Sequence, residues 1–222
     1  MGTLHLVRHG QASFGSEDYD RLSELGRRQC LRLGEHLRAR GQRFDAVLTG
    51  SLRRHAQSFE SIAEGLGDAP TPQVLPGLNE YDAEAVVRAI HPGPLPRPQT
   101  PEQVRQHFRL LRQGLAAWAA GSTRPVGLPR HADFVAGVVA ALDLVRSRHE
   151  GDVLLVSSGG PIATAVGHVL GLNIETTIDL NMRIRNSAVT EFAVTPRRHQ
   201  LISYNGLPHL QAPEHADWMT YA

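Results

Sequence analysis

Cysteine is nearly missing from this chain of 222 residues: Cys30 is the only one, so no intramolecular disulfide can form and a reducing compartment suits the composition. Apolar runs of membrane-spanning length are missing too. The start lacks the basic stretch followed by an apolar one that marks a secretory leader, so the expectation is a cytoplasmic protein with no membrane partner. Neither sign of charge dominates. The formal net charge of +1 is spread along the chain, which argues against nucleic acid as a partner while leaving room for a local basic pocket. The 12 histidines include no tight ligand pair such as HExxH or His-x-His, so no metal is expected. Internal repeats and low-complexity tails are absent, and the length predicts a single domain over 1–222 with a substantial core.

What is there reads as strands alternating with helices. Residues 3–8 form a short buried strand, followed by a polar loop from Gly10 to Asp20. A helix runs from Leu22 to Arg40, with Ser23 available as a cap, Leu25, Leu33 and Leu37 as its apolar stripe, and Gly41 as its stop. Phe44 to Thr49 is a second strand, Leu52 to Leu66 a second helix, and Val74-Leu75 a short extended piece. Pro92, Pro94, Pro96, Pro98 and Pro101 make 91–101 a loop, and helices follow at 102–119 and 131–149. Val153 to Ser157 is the most strand-like run. Gly159-Gly160-Pro161 then opens a helix to about Leu170 with Pro161 in its first position, and strands near 187–194 and 199–204 close the pattern. The alternation predicts a three-layer α/β/α sandwich with a mostly parallel sheet, and residues 81–128 read as a cap-like helical excursion long enough to roof a pocket, or equally as an ordinary pair of packing helices.

Four segments carry chemistry. Leu6-Val7-Arg8-His9-Gly10 delivers an arginine, a histidine and a glycine to the C-terminal end of a strand, where α/β proteins bind ligands. Arginine offers a donor fork suited to phosphate oxygens, histidine can be a neutral nucleophile near pH 7, and glycine allows close backbone approach. Thr49-Gly50-Ser51-Leu52-Arg53-Arg54-His55 enters a helix whose first amides attract anions. Leu78-Asn79-Glu80-Tyr81 places a carboxylate in a loop, and Val156-Ser157-Ser158-Gly159-Gly160-Pro161 makes a nest of backbone donors. Any one of these is equally a plain turn or a solvated helix start.

Together and in this order, the segments resemble the histidine phosphatase superfamily, also called phosphoglycerate-mutase-like. Asp20-Arg21-Leu22-Ser23-Glu24-Leu25-Gly26-Arg27-Arg28-Gln29 is similar to the family's D-x-x-L-T-x-x-G-x-x-Q stretch, and Asn205-Gly206-Leu207-Pro208-His209-Leu210 to its C-terminal segment. The resemblance implies a phosphatase acting on a small phosphomonoester through a phosphohistidine on His9. It makes Arg8 and Arg54 phosphate ligands and Glu80 the proton donor, and it calls for no cofactor. Ser158, Gly159 and Ser13 are further candidate phosphate donors.

The chain departs from the family pattern in one segment. The family carries a second histidine in V-S-H-G-G, where it hydrogen-bonds the phosphoryl group; here Val156-Ser157-Ser158-Gly159-Gly160 puts Ser158 in its place. A serine is shorter and never cationic. His55 adjoins Arg54, but neighbours on a helix point about 100° apart, and His91, His107 and His131 lie in or after the excursion. On sequence alone, Ser158→His is expected to keep or raise hydrolysis of an aryl phosphate. The family's asparagine after the first loop is also missing, with Gly15 near its place. Two alternatives stay open: a phosphoglycerate-mutase-type phosphotransferase, and a weakened phospholigand-binding member. The excursion holds Arg88, Arg97, Arg105, Arg109 and Arg112 but no compact basic pair, which favours hydrolysis. Exposed sheet edges leave room for a homodimer.

Overall fold

The computed structural model describes residues 2–13, 20–93 and 100–221. Its sheet has six strands: β1 (Gly2–Arg8), β2 (Ala46–Thr49), β3 (Gln73–Val74), β4 (Val153–Ser157), β5 (Val189–Val194) and β6 (His199–Gly206), in the order β3-β2-β4-β1-β5-β6. The β3–β2, β2–β4 and β4–β1 pairs are parallel, while β5 and β6 add an antiparallel flank. The helices are α1 (Glu24–Ala39), α2 (Arg53–Leu66), α3 (Ala83–Arg88), α4 (Pro101–Ala119), α5 (His131–Arg148), α6 (Gly159–Leu170) and α7 (Ile174–Asn181). This is the α/β sandwich with a mostly parallel sheet that the alternation implied.

Strand periodicity explains the layers. Leu4, Leu6, Leu48, Val153 and Leu155 point to one face, against Val138 and Leu142 of α5 and Ile162 and Val166 of α6. Val7, Val47, Leu154 and Val156 point to the other, against Leu33 and Leu37 of α1 and Ile62 and Leu66 of α2. β4, with a strand on each side and a helical layer on each face, is buried throughout, which is why its sequence is a continuous apolar run. A third cluster joins Val86 and Val87 of α3 to Leu111, Leu115 and Trp118 of α4 and Ile178 of α7. The excursion is thereby anchored on the helix that follows α6.

Several boundaries differ from the sequence reading, each for a local reason. α1 starts at Glu24 because Leu22 pairs in an isolated bridge with Ala12, and the Ser23 hydroxyl accepts the Gly26 amide at 3.0 Å as the helix cap. Pro101 belongs to α4 and not to the preceding loop. Thr100 and Gln103 form a reciprocal capping box, and proline is well placed in a first helical turn; residues 94–99 of that loop lie outside the described ones. α6 begins at Gly159, so Pro161 is its third residue and not its first. Helices α3 and α7, of 6 and 8 residues, are too short to show a period in sequence; the side chains of Asp82 and Asn173 cap them.

Helices α1 and α2 touch backbone to backbone. A Cβ placed on Gly34 would lie 2.1 Å from the Ile62 carbonyl oxygen, and one on Gly65 would lie 2.3 Å from that of Leu31. The obstacle is main chain, so no rotamer change relieves it. Gly34→Ala should therefore destabilise the fold by about 2–3 kcal/mol, seen as a lower urea midpoint at unchanged slope. An unchanged midpoint would contradict this helix contact.

Candidate active site

The C-terminal ends of β1, β2 and β4 meet on one side of the sheet. The His9 amide donates to the Ser157 carbonyl at 2.8 Å, and the Gly50 amide to that of Val156 at 3.2 Å, so the residues that leave these strands emerge side by side. His9 is 4% exposed. Its Nδ1 lies 2.7 Å from the Gly10 carbonyl oxygen, an acceptor only, so Nδ1 carries the hydrogen and Nε2 keeps its lone pair. Burial, helped by the charges of Arg8 and Arg54, holds the His9 pKa well below its usual 6.5. The imidazole is neutral and aimed. Gly10 is required beside it, because a Cβ there would meet the Gly26 carbonyl oxygen at 2.3 Å.

Two guanidiniums flank this ring. Arg8 donates from Nη1 to the carbonyls of Ile184 and Tyr221, the second at 2.7 Å. Of the paired arginines at the start of α2, Arg53 is exposed and Arg54 is buried. The Arg54 Nη1 bonds Asp20 Oδ1 at 2.8 Å, while Asp20 Oδ2 accepts the Arg53 amide at 2.8 Å. Asp20 thus holds the arginine against the first turn of the helix. No described group of three or more His, Cys, Asp or Glu stands together as a metal cluster would.

Glu80 reaches the same space from the loop after the short 3₁₀ turn Pro76–Leu78. Asn79 ties that loop to Ser51, accepting its amide and donating to its hydroxyl, both at 2.7 Å; the Ser157 hydroxyl donates to the Leu78 carbonyl at 2.7 Å. The Glu80 carboxyl then sits on the amides of Gly160 at 2.9 Å and Tyr81 at 3.2 Å. Burial raises its pKa above the usual 4.5, against the pull of the Gly160 amide and of Arg54 and Arg8. Behind it, the Tyr81 hydroxyl accepts from Asn181 at 2.6 Å, and its ring meets Trp118 and Phe134 edge-on. The excursion touches the site here.

The next contact escaped the sequence reading. His55 Nε2 lies 2.7 Å from the Ser158 hydroxyl, both residues are fully buried, and the His55 and His9 ring centroids are 5.9 Å apart. The 100° argument against His55 fails because the site surrounds the first turn of α2. Arg54 leaves that turn towards Asp20 and His55 leaves it towards the start of α6.

The sequence profile of the histidine phosphatase superfamily (branch 1) matches residues 4–206. The chain belongs to that superfamily. Among solved structures, this chain is similar to a mycobacterial glucosyl-3-phosphoglycerate phosphatase (24% identity, covering 93% of this chain and 99% of that one, TM-score 0.64). It is also similar to a phosphoserine phosphatase from Entamoeba histolytica in complex with 3-phosphoglyceric acid (19% identity, 95% and 100% coverage, TM-score 0.65). These likenesses speak for the fold. A 2,3-bisphosphoglycerate-dependent phosphoglycerate mutase from Bartonella quintana is 31% identical over 87 residues, which is 36% of this chain and 42% of the mutase. The chain thus spans less than half the length of that relative.

Among the residues singled out from sequence, Arg8, His9, Arg54, Glu80, Ser158 and Gly159 gather at these strand ends. Gly159 lies close enough to Asn181 and Arg8 that a Cβ on it would be 2.6 Å from the Asn181 side-chain oxygen and 3.9 Å from Arg8 Nε. The Ser13 amide donates to the Arg21 carbonyl at 2.7 Å; Gly15 lies outside the described residues. His131 packs on Trp118 and His107 beside Phe108. Tyr81, Asn181, Asp20 and His55 are the additions. Asp20, Tyr81 and His55 each lie in a segment that stood out in the sequence, without a role assigned to them there, whereas Asn181 had no signal. A cavity of about 420 Å³ lined by Trp118, Thr123, Arg124, Arg130 and His131 borders the aromatic cluster, and neither His9 nor Glu80 lines it.

Buried neutral histidines also contribute to the pH dependence of this fold's stability in acid. Burial lowers the pKa of His55 and of His209 from 6.5 to about 3. In the unfolded chain both protonate near the usual value, so their contribution is complete above about pH 6.5 and is lost as pH falls towards 3, each by up to about 1.4 kcal/mol per pH unit. Urea midpoints should fall steeply from pH 7 to pH 4, and His209→Gln should flatten that dependence by about one proton. A variant with the wild-type slope would contradict this assignment.

Proposed function

We propose that this histidine phosphatase hydrolyses a small phosphomonoester through a phosphohistidine on His9. The observation that carries the reading is the His9 tautomer: Nδ1–H is spent on Gly10, and the neutral Nε2 faces a space ringed by Arg8, Arg54 and Glu80. In the first step Nε2 attacks phosphorus, the bond from phosphorus to the ester oxygen breaks, and protonated Glu80 gives its proton to the departing oxygen. In the second, Glu80 as carboxylate takes a proton from water. The resulting hydroxide oxygen bonds to phosphorus, and the electron pair of the N–P bond returns to His9. Arg8 and Arg54 stabilise the equatorial oxygens in both steps. The raised pKa of Glu80 suits a group that must be protonated first, and an incoming phosphate dianion raises it further.

Hydrolysis is favoured over mutase chemistry by the use to which the excursion puts its arginines. Arg88 pairs with Glu84, Arg105 with Glu102 and Arg112 with Asp179, all on exposed faces, and Arg109 bonds Gln106. These four are not gathered to hold a second acidic group of an intermediate; Arg97 lies outside the described residues, and Arg124 lines the separate cavity beside Trp118.

Rapid-quench assays with an aryl phosphate should trap an acid-labile, alkali-stable phosphate on the wild-type protein and none on His9→Ala. Undiminished turnover by His9→Ala would falsify the proposal. Glu80→Gln should slow hydrolysis of alkyl phosphates by about 10²–10⁴-fold. With an aryl phosphate, whose leaving group needs less help, it should accumulate the phosphohistidine because the second step lacks its base. In the wild type the rate should decline as pH rises through the raised Glu80 pKa; protonation of His9, well below 6.5, limits it on the acid side.

A further inference from the structure

Ser158 occupies the N-cap of α6, where a serine ordinarily accepts an amide hydrogen from the first helical turn, yet its hydroxyl makes no cap bond. It is turned away from the helix onto His55 Nε2 at 2.7 Å. That ring is fully buried, and its other nitrogen, Nδ1, has no hydrogen-bond partner in the described structure. A neutral imidazole carries one N–H. If it were on Nδ1, a buried donor would be stranded, whereas on Nε2 it is satisfied by the serine oxygen at the cost of one unfilled lone pair. With Nε2–H donating, the serine's own hydrogen is free for another acceptor. The first-turn amides of α6 are donors and cannot take it. Ser157, the preceding residue, accepts the His9 amide, which sets Ser158 beside the nucleophile, and the His55 ring stands 5.9 Å from the His9 ring.

We propose that His55 and Ser158 act as one relay that delivers a hydrogen bond to the phosphoryl group in flight on His9: His55 fixes the serine, and the serine hydroxyl donates. Ser158 is the catalytic residue of the pair and His55 a positioning residue. The relay rests on the phosphohistidine reading above and adds to it a donor and a constraint. Because His55 fills the space that a longer side chain at 158 would need, the two positions exchange only together. The expectation that Ser158→His keeps or raises activity is therefore reversed, since an imidazole at 158 meets the ring of His55. Removing that ring first makes room, and a histidine at 158 then reaches the same acceptor from the α6 side.

The test is a cycle of Ser158→Ala, His55→Ala and the double variant, with His55→Gln as the conservative change that keeps an N–H donor. Each variant is first checked for wild-type thermal unfolding. Losing one transition-state donor costs about 10²–10³ in kcat. Ser158→Ala should show that loss with KM for the aryl phosphate near wild type, and its inhibition by orthovanadate, which copies the five-coordinate phosphorus, should weaken by the same factor. His55→Ala should lose nearly as much, the double variant no more than the worse single one, and His55→Gln should recover part of the loss. Ser158→His should be impaired, and His55→Ala/Ser158→His should exceed both of its single parents. Wild-type kcat in Ser158→Ala, independent losses that multiply in the double variant, equal losses in kcat and vanadate affinity accompanied by a matching rise in KM, or a swap no better than its parents would each overturn the relay. Those outcomes leave the phosphohistidine intact on quenched wild-type protein. Failure to trap it there would remove the underlying reading instead.

Discussion

The site hangs on the last rungs of a parallel ladder. Where β1 ends, the His9 amide still reaches the Ser157 carbonyl, and where β2 ends, Gly50 still reaches Val156. Those two bonds bring the exits of three strands into one space. Each exit contributes its own groups: a neutral imidazole and a guanidinium from the first, a guanidinium and a second buried imidazole from the second, a hydroxyl and a row of amides from the third. A slip of one residue in any of these registers would turn the exit side chains to the opposite face. On β4 such a slip would also carry the buried Ser157 hydroxyl away from the Leu78 carbonyl that accepts its hydrogen bond.

Electrostatics at the site work by opposed pulls. Two cations would draw a carboxylate down and push a histidine down, and burial acts with them on His9 but against them on Glu80. The imidazole ends neutral and the carboxyl ends harder to ionise than in water, which are the two states a nucleophile and a proton donor need. Asp20 balances Arg54 from outside, at the helix start, so the guanidinium is held without a carboxylate being placed against His9.

Much of this was legible in the sequence, for reasons that differ by segment. β4 could be read to the residue because burial on both faces leaves an unbroken apolar run, and α1 nearly so because Ser23 caps it as serines do. Arg8, His9, Arg54 and Glu80 were singled out by four junction segments taken together, whose order resembles the histidine phosphatase pattern; any one junction alone read equally as a plain turn or a solvated helix start. Short elements were illegible: α3 and α7 are held by side-chain caps and by contacts of Val86, Val87 and Ile178 with the excursion, none of which has a period. His55 was lost to an argument about helix angles. Direction around a single helix cannot say what stands beyond it, and the neighbour that matters, Ser158, is 103 residues away.

Arg8 shows the same distance effect at its extreme. Its partner Tyr221 is 213 residues further along, and around that contact Gln29 holds the Trp218 carbonyl while Asn186 holds the Thr220 carbonyl. The seat of the first arginine is thus built from the last described residues. Closing so long a loop costs only slightly more entropy than closing a short one, but the closure cannot precede synthesis of its far end. The β1 strand and the α1–α2 pair have apolar faces of their own, whereas the seat of Arg8 needs the segment around Tyr221 to be docked. A contact loosened at Gln29 or Asn186 would therefore be felt at the far end of the site, through the seat of Arg8 and not through any change in Arg8 itself.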